Sequence, residues 1–406
     1  MNLSLFISKR INQVEGGTFS SVIHRVAVVS IAMGLGLILI SFLILTGFRE
    51  NIIRKVVSFS GHYQVIRYSL SNSYEEDPIS TNNPILEQWE TFADIQGVYP
   101  YSNKPGLLKD NDEVAGIILK GVEESYQESG FLENVVAGSF PQFDATKRYD
   151  QQVMVSQKLA NLLDLQVGDT TRMYFIQDPP RFRKVYVSGI YESGLEEFDE
   201  KVVLGDIRMI QRLNQWADTL VGGLEVHLKS MDHIDEVHEE LFDLAGFDLF
   251  VTKVTDRHAD FFDWLKLLDN NVVIFLTIIL FVACFNMVSV VLILIMERTQ
   301  MIGMLKALGA TDFQVRKIFM YNGLLLIAKG MFLGNLVGLG FGFLQGNFHL
   351  IPLEMESYYM NHVPISWDWS MLLAANLLTL LVVALVLWIP TIVVTRVNPI
   401  RAIRFD

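Results

Sequence analysis

The side chains that most often act as catalysts or metal ligands are few and poorly spaced in this sequence. The eight histidines are scattered, and His233 and His238 do not share a helical face at their spacing. The acidic run from Glu192 to Glu200 offers carboxylate oxygens that could bind a cation, although a solvated acidic loop is the preferred interpretation. Cys284 is the only cysteine. We therefore expect neither catalytic residues nor a bound metal.

Signatures of nucleotide binding and of hydrolysis are missing as well. The sequence contains no G-x-x-x-x-G-K-[ST] phosphate loop, no H-E-x-x-H and no G-x-S-x-G. Any ATP and Mg²⁺ must then be bound by a separate partner ATPase. We expect this chain to bind no cofactor of its own and not to be an enzyme.

Four apolar segments flanked by charged residues dominate the chain. Residues 26–47, 272–296 and 370–395 are each long enough to cross a hydrocarbon core of about 30 Å as a helix. The fourth segment, residues 318–348, is rich in glycine and is interrupted by one charge, Lys329. One span precedes a long insert and three follow it. This order predicts an α-helical membrane protein with four transmembrane helices and a large α+β extracytoplasmic domain inserted between helices 1 and 2.

The distribution of basic residues predicts the orientation of the spans. Short segments next to spans that carry Lys and Arg tend to face the cytoplasm. They lie before the first span, between the second and third, and after the fourth: Lys9, Arg10, Arg25, Arg298, Lys306, Arg316, Lys317, Arg396, Arg401 and Arg404. Residues 349–369 contain none. We expect both termini in the cytoplasm and the insert, which carries the acid excess of the chain, outside.

These observations divide the chain into successive segments. We expect, in order, a cytoplasmic amphipathic segment (1–25), the first span (26–47), a stalk helix (48–60), a periplasmic α+β domain (61–256), a second stalk helix (257–271), the second span (272–296), a cytoplasmic coupling helix (297–317), the third span (318–348), a short periplasmic loop (349–369), the fourth span (370–395) and a cytoplasmic tail (396–406). Within the domain, apolar periodicity predicts strands at 62–68, 114–120, 152–155, 171–176, 184–191, 202–205 and 224–228, and helices at 84–92, 157–163, 206–214 and 234–244.

A turn inside the insert could contact a partner. Its sequence from Asp178 joins two predicted strands and presents two arginines around an aromatic ring; the candidate contact residues are Pro179, Pro180, Arg181, Phe182 and Arg183. A plain solvated turn is the alternative that local composition favours slightly.

The loop between the second and third spans has the pattern of a short amphipathic helix. Met301, Met304, Leu305 and Leu308 share one apolar face, while Glu297, Arg298 and Lys306 are polar. Gly309 can end this helix, and Thr311 with Gln314 can start the next one with a capping box. The helix either binds a partner or lies at the membrane interface without one.

The third span carries two further signals. Gly330, Gly334, Gly338 and Gly342 recur every fourth residue, a pattern that lets a second helix approach closely. Lys329 is a charge within the apolar segment. It either faces the bundle interior and is paired there, or meets lipid head groups, or simply extends outward beside the glycine face.

Several of these motifs together resemble one family. The coupling segment E-R-T-x-x-I-G-x-L-K-A-L-G-A-T from Glu297, the ending N-P-I-R-A-I-R from Asn398, and the insert motifs G-S-F-P (138–141), V-M-V-S-Q-K-L-A (153–160) and L-Q-V-G-D (165–169) are similar to those of the MacB/FtsX/LolC-E superfamily of ABC transporter permeases. The resemblance extends over essentially the whole chain. The size of the insert and the lack of a fused ATPase most resemble a lipoprotein-releasing permease.

The resemblance implies partners and roles. Cytoplasmic ABC ATPase subunits would dock on Glu297, Arg298, Met301, Met304, Leu305, Lys306, Leu308 and Gly309. A second permease subunit, identical or different, would complete the complex in the bacterial inner membrane. Its substrate would be an acylated lipoprotein, passed to a periplasmic carrier, and no nucleic acid is expected. Binding of the carrier by this chain is left open, because the hairpin at 178–183 is shorter than the hook that such permeases use.

Two other functions remain open within the same superfamily. One is transmembrane signalling to a cell-wall hydrolase, as in FtsX-like proteins. The other is MacB-like efflux.

Overall fold

The computed structural model describes residues 19–68, 75–110, 113–354 and 358–393. Most of the predicted segment 1–25 and the predicted tail 396–406 lie outside the described residues. The chain divides into two compact units. The membrane unit contains Met1–Glu50, Trp264–Pro352 and His362–Asp406, and the inserted domain contains Asn51–Asp263 and Leu353–Asn361.

The helices and strands of the described residues have the following bounds in chain order. The helices are α1 (Phe19–Ser60), α2 (Pro84–Gln88), α3 (Gln157–Leu162), α4 (Glu196–Asp199), α5 (Ile207–Asn214), α6 (Ile234–Ala245), α7 (Val254–Arg257), α8 (Ala259–Glu297), α9 (Thr299–Ala307), α10 (Asp312–Phe348), α11 (Trp369–Val386) and α12 (Trp388–Thr391). The strands are β1 (Tyr63–Arg67), β2 (Ile79–Ser80), β3 (Ile95–Asp110), β4 (Glu113–Val122), β5 (Val135–Gly138), β6 (Gln152–Ser156), β7 (Thr170–Phe175), β8 (Arg181–Tyr191), β9 (Val202–Asp206), β10 (Leu220–Val221), β11 (Gly223–Leu228) and β12 (Leu249–Lys253).

Four helices in the described residues are long and apolar enough to cross a membrane: His24–Ser60, Ala259–Glu297, Asp312–Phe348 and Trp369–Thr391. The first two continue beyond the predicted spans, so that α1 also contains the predicted stalk 48–60. The second stalk, predicted from residue 257, begins with α8 at Ala259, after the separate turn of α7.

One predicted boundary is wrong. Residues 312–317, assigned to the coupling helix, form the first turns of α10 because the Thr311 cap starts that helix directly after the loop. The predicted fourth span 370–395 corresponds to the helical stretch Trp369–Thr391, in which the single turn residue Leu387 separates α11 from α12. Pro390 weakens the helix at this point, because its ring nitrogen cannot donate to the carbonyl of Val386.

The glycine stripe of α10 lies against α1. A Cβ built on Gly330 would lie 2.7 Å from Ile31, and one on Gly338 would lie 2.8 Å from Leu39. A Cβ built on Gly334 would lie 3.0 Å from the carbonyl oxygen of Ala32, and one on Gly342 would lie 2.8 Å from Leu43. The absence of side chains along this stripe lets the two helices approach to backbone contact, where dispersion forces stabilise the pair.

The inserted domain is built on one large mixed sheet. Its strand order is β12-β1-β11-β3-β4-β9-β6-β8-β5, with β7 paired to β3 and β8, and β2 with β10 forms a separate small sheet. Most neighbours are antiparallel, whereas β4 with β9 and β6 with β8 are parallel. One core cluster joins the sheet to α3 and α5 through Leu159 and Ile210. A second, aromatic cluster includes Phe59 at the end of α1, Tyr101 and Phe131.

Seven predicted strands and four predicted helices match elements of the domain to within a few residues. The longest strand, β3, was not predicted, because Gly97, Pro100, Pro105 and Gly106 are residues that usually interrupt strands. In the structure β3 nevertheless pairs with β4, β7 and β11. The short strands β2, β5, β10 and β12 were missed as well.

The packing of α10 on α1 yields a stability prediction. Gly338→Ala should destabilise the membrane unit by about 1–3 kcal/mol, because the new methyl group overlaps Leu39. Gly340→Ala is the matched control on the same helix, since a Cβ there meets nothing within 4 Å. The free energy of unfolding would be measured for both variants by titrating the purified chain from mild detergent into dodecyl sulfate. Equal stabilities would contradict the close contact.

Candidate functional site

The predicted coupling segment forms α9, and its apolar residues lie on two sides. Ile302 is fully buried, and Met301 and Leu305 pack beside it against the core of the membrane unit. Met304 is 53% exposed and Leu308 is 85% exposed. Met301, Met304 and Leu305 thus keep the spacing of the predicted apolar face, but this face is half-buried at Met301 and Leu305 and exposed at Met304 and Leu308.

An exposed apolar patch remains on this segment. Besides Met304 and Leu308 it includes Phe313, in the first turn of α10, which is 70% exposed. Sequence reasoning missed Phe313, although its aromatic ring follows a helix cap and is flanked by Asp312 and Gln314, a position that usually faces solvent. We call Met304, Leu308 and Phe313 the coupling patch.

The connection between α9 and α10 is closely hydrogen-bonded. Gly309 has a positive φ of 94°, and the next amide, that of Ala310, donates to the carbonyl of Leu305 at 2.9 Å. Thr311 and Gln314 form the predicted reciprocal capping box. The Lys306 ammonium lies 2.8 Å from the Asp312 carboxylate, and only 10% of the Lys306 side chain is exposed. Lys306, which we expected to contact a partner, is thus paired within the chain.

The predicted turn 178–183 is shorter than expected. Arg181, Phe182 and Arg183 belong to β8, where they pair with residues of β7, so the connecting loop ends at Pro180. The antiparallel pairing extends further toward the tip because Phe182 packs beside Tyr174, with ring centroids 6.1 Å apart.

The two arginines of this hairpin have partners within the domain. The Arg181 guanidinium donates to the carbonyl of Arg212 at 3.2 Å, and the Arg183 guanidinium lies 5.5 Å from the centre of the Tyr149 ring. Pro179 and Pro180 are exposed, as is Phe182 at 61%. Any partner at this tip would therefore meet Phe182, the prolines and Ile176, which is 83% exposed.

Lys329 is exposed on α10. Within this chain the Lys329 side chain is therefore not covered by the packed helices, and its role stays a prediction. The neighbouring Gly330 contacts α1, so the lysine lies next to the glycine stripe and away from the packed core.

A buried polar cluster in the inserted domain was not predicted. Lys120 and Glu225 form an ion pair with N–O distance 2.8 Å, and their side chains are 6% and 1% exposed. They line a cavity together with Gln64, Phe59 and His258. The available signal was a single charge within each of two otherwise apolar strand patterns, around residues 114–122 and 223–228.

Glu76 is a half-buried acid near this cluster. It accepts hydrogen bonds from the backbone nitrogen of Asn103 at 3.0 Å and from the Asn103 amide at 2.7 Å. Burial nevertheless raises the pKa of Glu76 to about 7, since the hydrogen bonds from Asn103 and the charge of Arg257 offset only part of the desolvation. Among the described residues, no group of three His, Cys, Asp or Glu side chains comes together to hold a metal ion.

Comparison with known families identifies the class of protein. Residues 26–244 match the family of the MacB-like periplasmic core domain, and residues 273–399 match the FtsX-like permease C-terminal family. The fold, four long apolar helices with an α+β domain between the first two, is that of a multi-pass membrane permease with a periplasmic domain.

The chain belongs to the FtsX/MacB family of permeases. It is 22% identical over 405 residues to the lipoprotein-releasing system transmembrane protein LolC of Xylella fastidiosa, covering 96% of this chain and 95% of the relative. It is 21% identical over 414 residues to LolE of Haemophilus influenzae, with 95% and 94% covered. The periplasmic region of MacB from Actinobacillus actinomycetemcomitans aligns with 50% of this chain and 95% of its own length, at 15% identity and a TM-score of 0.35.

Membership of this family confirms the resemblance and two of its implications. FtsX-family permeases are non-catalytic transmembrane subunits, and as ABC permeases they act with a partner ATPase. The periplasmic domain is the inserted domain described above.

Glu76 makes stability depend on pH. Because folding raises its pKa from 4.5 to about 7, the folded state binds this proton more tightly than the unfolded state. The resulting stabilisation is complete below pH 4.5 and is lost as the pH rises through 7. The side chain of Glu76→Gln resembles the protonated acid. The melting temperature of this variant should therefore be higher than that of the wild type at pH 8, and nearly equal to it at pH 5.

Thermal unfolding of the full-length chain in detergent, recorded from pH 5 to 8, would measure this difference. Glu240→Gln, an exposed position on α6, is the control and should give the same small difference at every pH. A pH-independent effect of Glu76→Gln would rule out the proton linkage.

Proposed function

We propose that this chain is a permease subunit of a complex that extracts acylated lipoproteins from the outer leaflet of the bacterial inner membrane for delivery to the outer membrane. The observation that carries the proposal is its relation to LolC, which extends over 96% of this chain and 95% of the relative and thus includes both the membrane unit and the periplasmic domain. A separate ATPase, binding ATP and Mg²⁺, would supply the energy.

The surface of the membrane unit is compatible with this cargo. On α1, Met33 and Leu37 are exposed within the chain, and on α8 the rings of Phe275, Phe281 and Phe285 are more than half exposed. Such surfaces can solvate acyl chains, at about 0.8 kcal/mol per methylene transferred from water. Removing a multiply acylated protein from a bilayer is therefore costly enough to require ATP. A second permease subunit, identical or different, would face these surfaces, so that the two subunits together enclose a space for the acyl chains.

The coupling patch is the surface on which we place the ATPase. Met304, Leu308 and Phe313 are apolar and exposed on a segment whose backbone is fixed by the Gly309 turn and the Thr311 cap. An apolar anchor on a rigid short helix suits a groove on a partner protein. Glu297 and Arg298, at the end of α8, would contribute polar contacts at its edge.

Contact with a periplasmic carrier remains a prediction for the hairpin tip. Exposed apolar residues there include Ile176, Pro179, Pro180 and Phe182. A short tip offers only a small contact area, so we expect any carrier binding by this chain to be weak.

A pair of substitutions tests ATPase docking. Met304→Asp and Leu308→Asp should each abolish co-purification of the ATPase while the amount of permease in the membrane is unchanged, because both side chains are exposed in this chain. Leu305→Asp should instead reduce the amount of folded permease, because Leu305 packs against the core. Leu350→Asp, an exposed position outside the coupling patch, is the control and should leave ATPase binding intact. Retained ATPase in the first two variants would refute the docking surface.

Depletion of the protein in its own host tests the cargo. If the chain releases lipoproteins, they should accumulate in the inner membrane, and the division of lipoproteins between separated inner and outer membranes would be measured by mass spectrometry. Depletion of an unrelated inner-membrane protein controls for general stress. A normal distribution would contradict the proposal and favour signalling to a cell-wall hydrolase or efflux.

A further inference from the structure

The C-terminal end of α1 is held by a buried ammonium group. The carbonyl groups in the last turn of a helix have no partner within the helix and need donors from elsewhere. Lys120, on β4, donates from Nζ to the carbonyl of Phe59, next to the last residue of α1. All of these residues lie within the inserted domain, to which α1 belongs from Asn51 onward.

The other two donors of Lys120 are also satisfied. Nζ donates to the Tyr126 hydroxyl at 2.8 Å and to the Glu225 carboxylate at 2.8 and 2.9 Å. The Tyr126 hydroxyl in turn donates to the carbonyl of Ser58 at 3.0 Å. One network thus satisfies the carbonyls of both Ser58 and Phe59. We call Ser58, Phe59, Lys120, Tyr126 and Glu225 the α1 joint.

The α1 joint ties the helix to the middle of the sheet. Glu225 on β11 lies opposite Gln64 of β1 and Tyr99 of β3, and Gln64 donates to its carboxylate at 3.3 Å. Lys120 on β4 lies opposite Asn103 of β3. The helix end therefore contacts groups fixed on strands that are remote in sequence, and not only the strand that follows it.

The turn after α1 is fixed as well. Gly61 has a positive φ of 64°, and its backbone amide donates to the carbonyl of Val57 at 2.8 Å. The backbone amide of His62 donates to the carbonyl of Val226 at 2.8 Å. A Cβ at Gly61 would lie 3.1 Å from Glu225 and from the carbonyl oxygen of Val226. The turn that joins α1 to β1 is therefore restricted to one backbone conformation by its hydrogen bonds and close contacts.

Burying the Lys120–Glu225 ion pair costs desolvation free energy, so stability alone does not explain why charged residues occupy these positions. Two buried charges lose their hydration, and apolar residues of similar volume often stabilise a core as well or better. Burial lowers the pKa of Lys120, an effect that the Glu225 carboxylate opposes. An apolar pair, however, could not bond the terminal carbonyls of α1 or interact with the negative end of its dipole. The geometry is therefore better explained by orientation of the helix than by stability.

We propose that Lys120 is a positioning residue that fixes the direction of α1 on the periplasmic sheet, so that movement of this membrane helix moves the domain. The transmission of an ATP-driven movement rests on the proposed function, whereas the orientation of the helix end does not.

The test compares two equally buried lysines. Lys120→Met with Glu225→Gln removes the cap of α1 without leaving an unpaired buried charge. Lys104→Met is the matched control: the Lys104 side chain is 9% exposed against 6% for Lys120, it lies on the neighbouring strand β3, and it bonds Glu75 and Asn214 instead of α1. All chains carry Cys284→Ala and spin labels at the exposed positions Arg54 on α1 and Arg172 on β7.

Two quantities are measured on the permease reconstituted with its ATPase in nanodiscs. The first is the width of the distance distribution between the two labels, by pulsed electron paramagnetic resonance. We expect it to at least double in the Lys120/Glu225 double variant and to stay unchanged in Lys104→Met. The second is the amount of lipoprotein released per ATP hydrolysed, which should fall about fivefold in the double variant only.

Each outcome decides a separate statement. Unchanged widths would overturn the orienting role of Lys120, and broadened widths with normal release per ATP would overturn its role in transmission. Equal losses in the double variant and in Lys104→Met would show a structural role alone and would also overturn the proposal. A wild-type complex that releases no lipoprotein would contradict the proposed function, and the widths would still decide whether Lys120 orients the helix.

Discussion

The need to pair every backbone polar group constrains this structure more than any other interaction. Within hydrocarbon an α-helix meets that need internally, but the last carbonyls of a helix have no such partners. The helix α1 continues without interruption from Phe19 to Ser60. The carbonyls of Ser58 and Phe59 in its last turn accept from Tyr126 and Lys120. The ends of a long membrane helix thus become the places where charged and hydroxyl side chains of the inserted domain are most needed.

Inside the membrane unit the backbone polar groups are paired within each helix, so the size of the side chains determines how closely the helices pack. The glycines of α10 place α1 at backbone contact, and Leu35, Leu39 and Leu43 fill the space that the missing side chains leave. The opposite faces of these helices stay apolar and uncovered within the chain. A subunit whose helices are tightly packed on one side and expose an apolar surface on the other is suited to contact a second membrane protein and lipid-modified cargo.

The sequence was most informative where one physical requirement dominated. The length and hydropathy of the spans, the Thr311 capping box and the Gly309 turn were predictable because each depends on neighbouring residues. The strand β3 was not, since the pairing of three neighbouring strands outweighs the local effect of Pro100 and Pro105. The division of α9 into buried and exposed sides required knowing where Ile302 packs, and the Lys120–Glu225 pair joins strands remote in sequence. Family resemblance supplied the class of protein, but not these contacts.

The attachment of the inserted domain has an evolutionary consequence. Its chain enters at β1 and leaves at β12, and these adjacent antiparallel strands place Tyr63 directly opposite Lys253. Directly opposed residues of antiparallel strands are about 5 Å apart at their Cα atoms. An exchange or enlargement of the loops at the far side of the sheet would therefore leave the spacing of the two attached membrane helices unchanged. The same membrane machinery can then be combined with different periplasmic domains, much as an insertion is tolerated where its two ends lie close together.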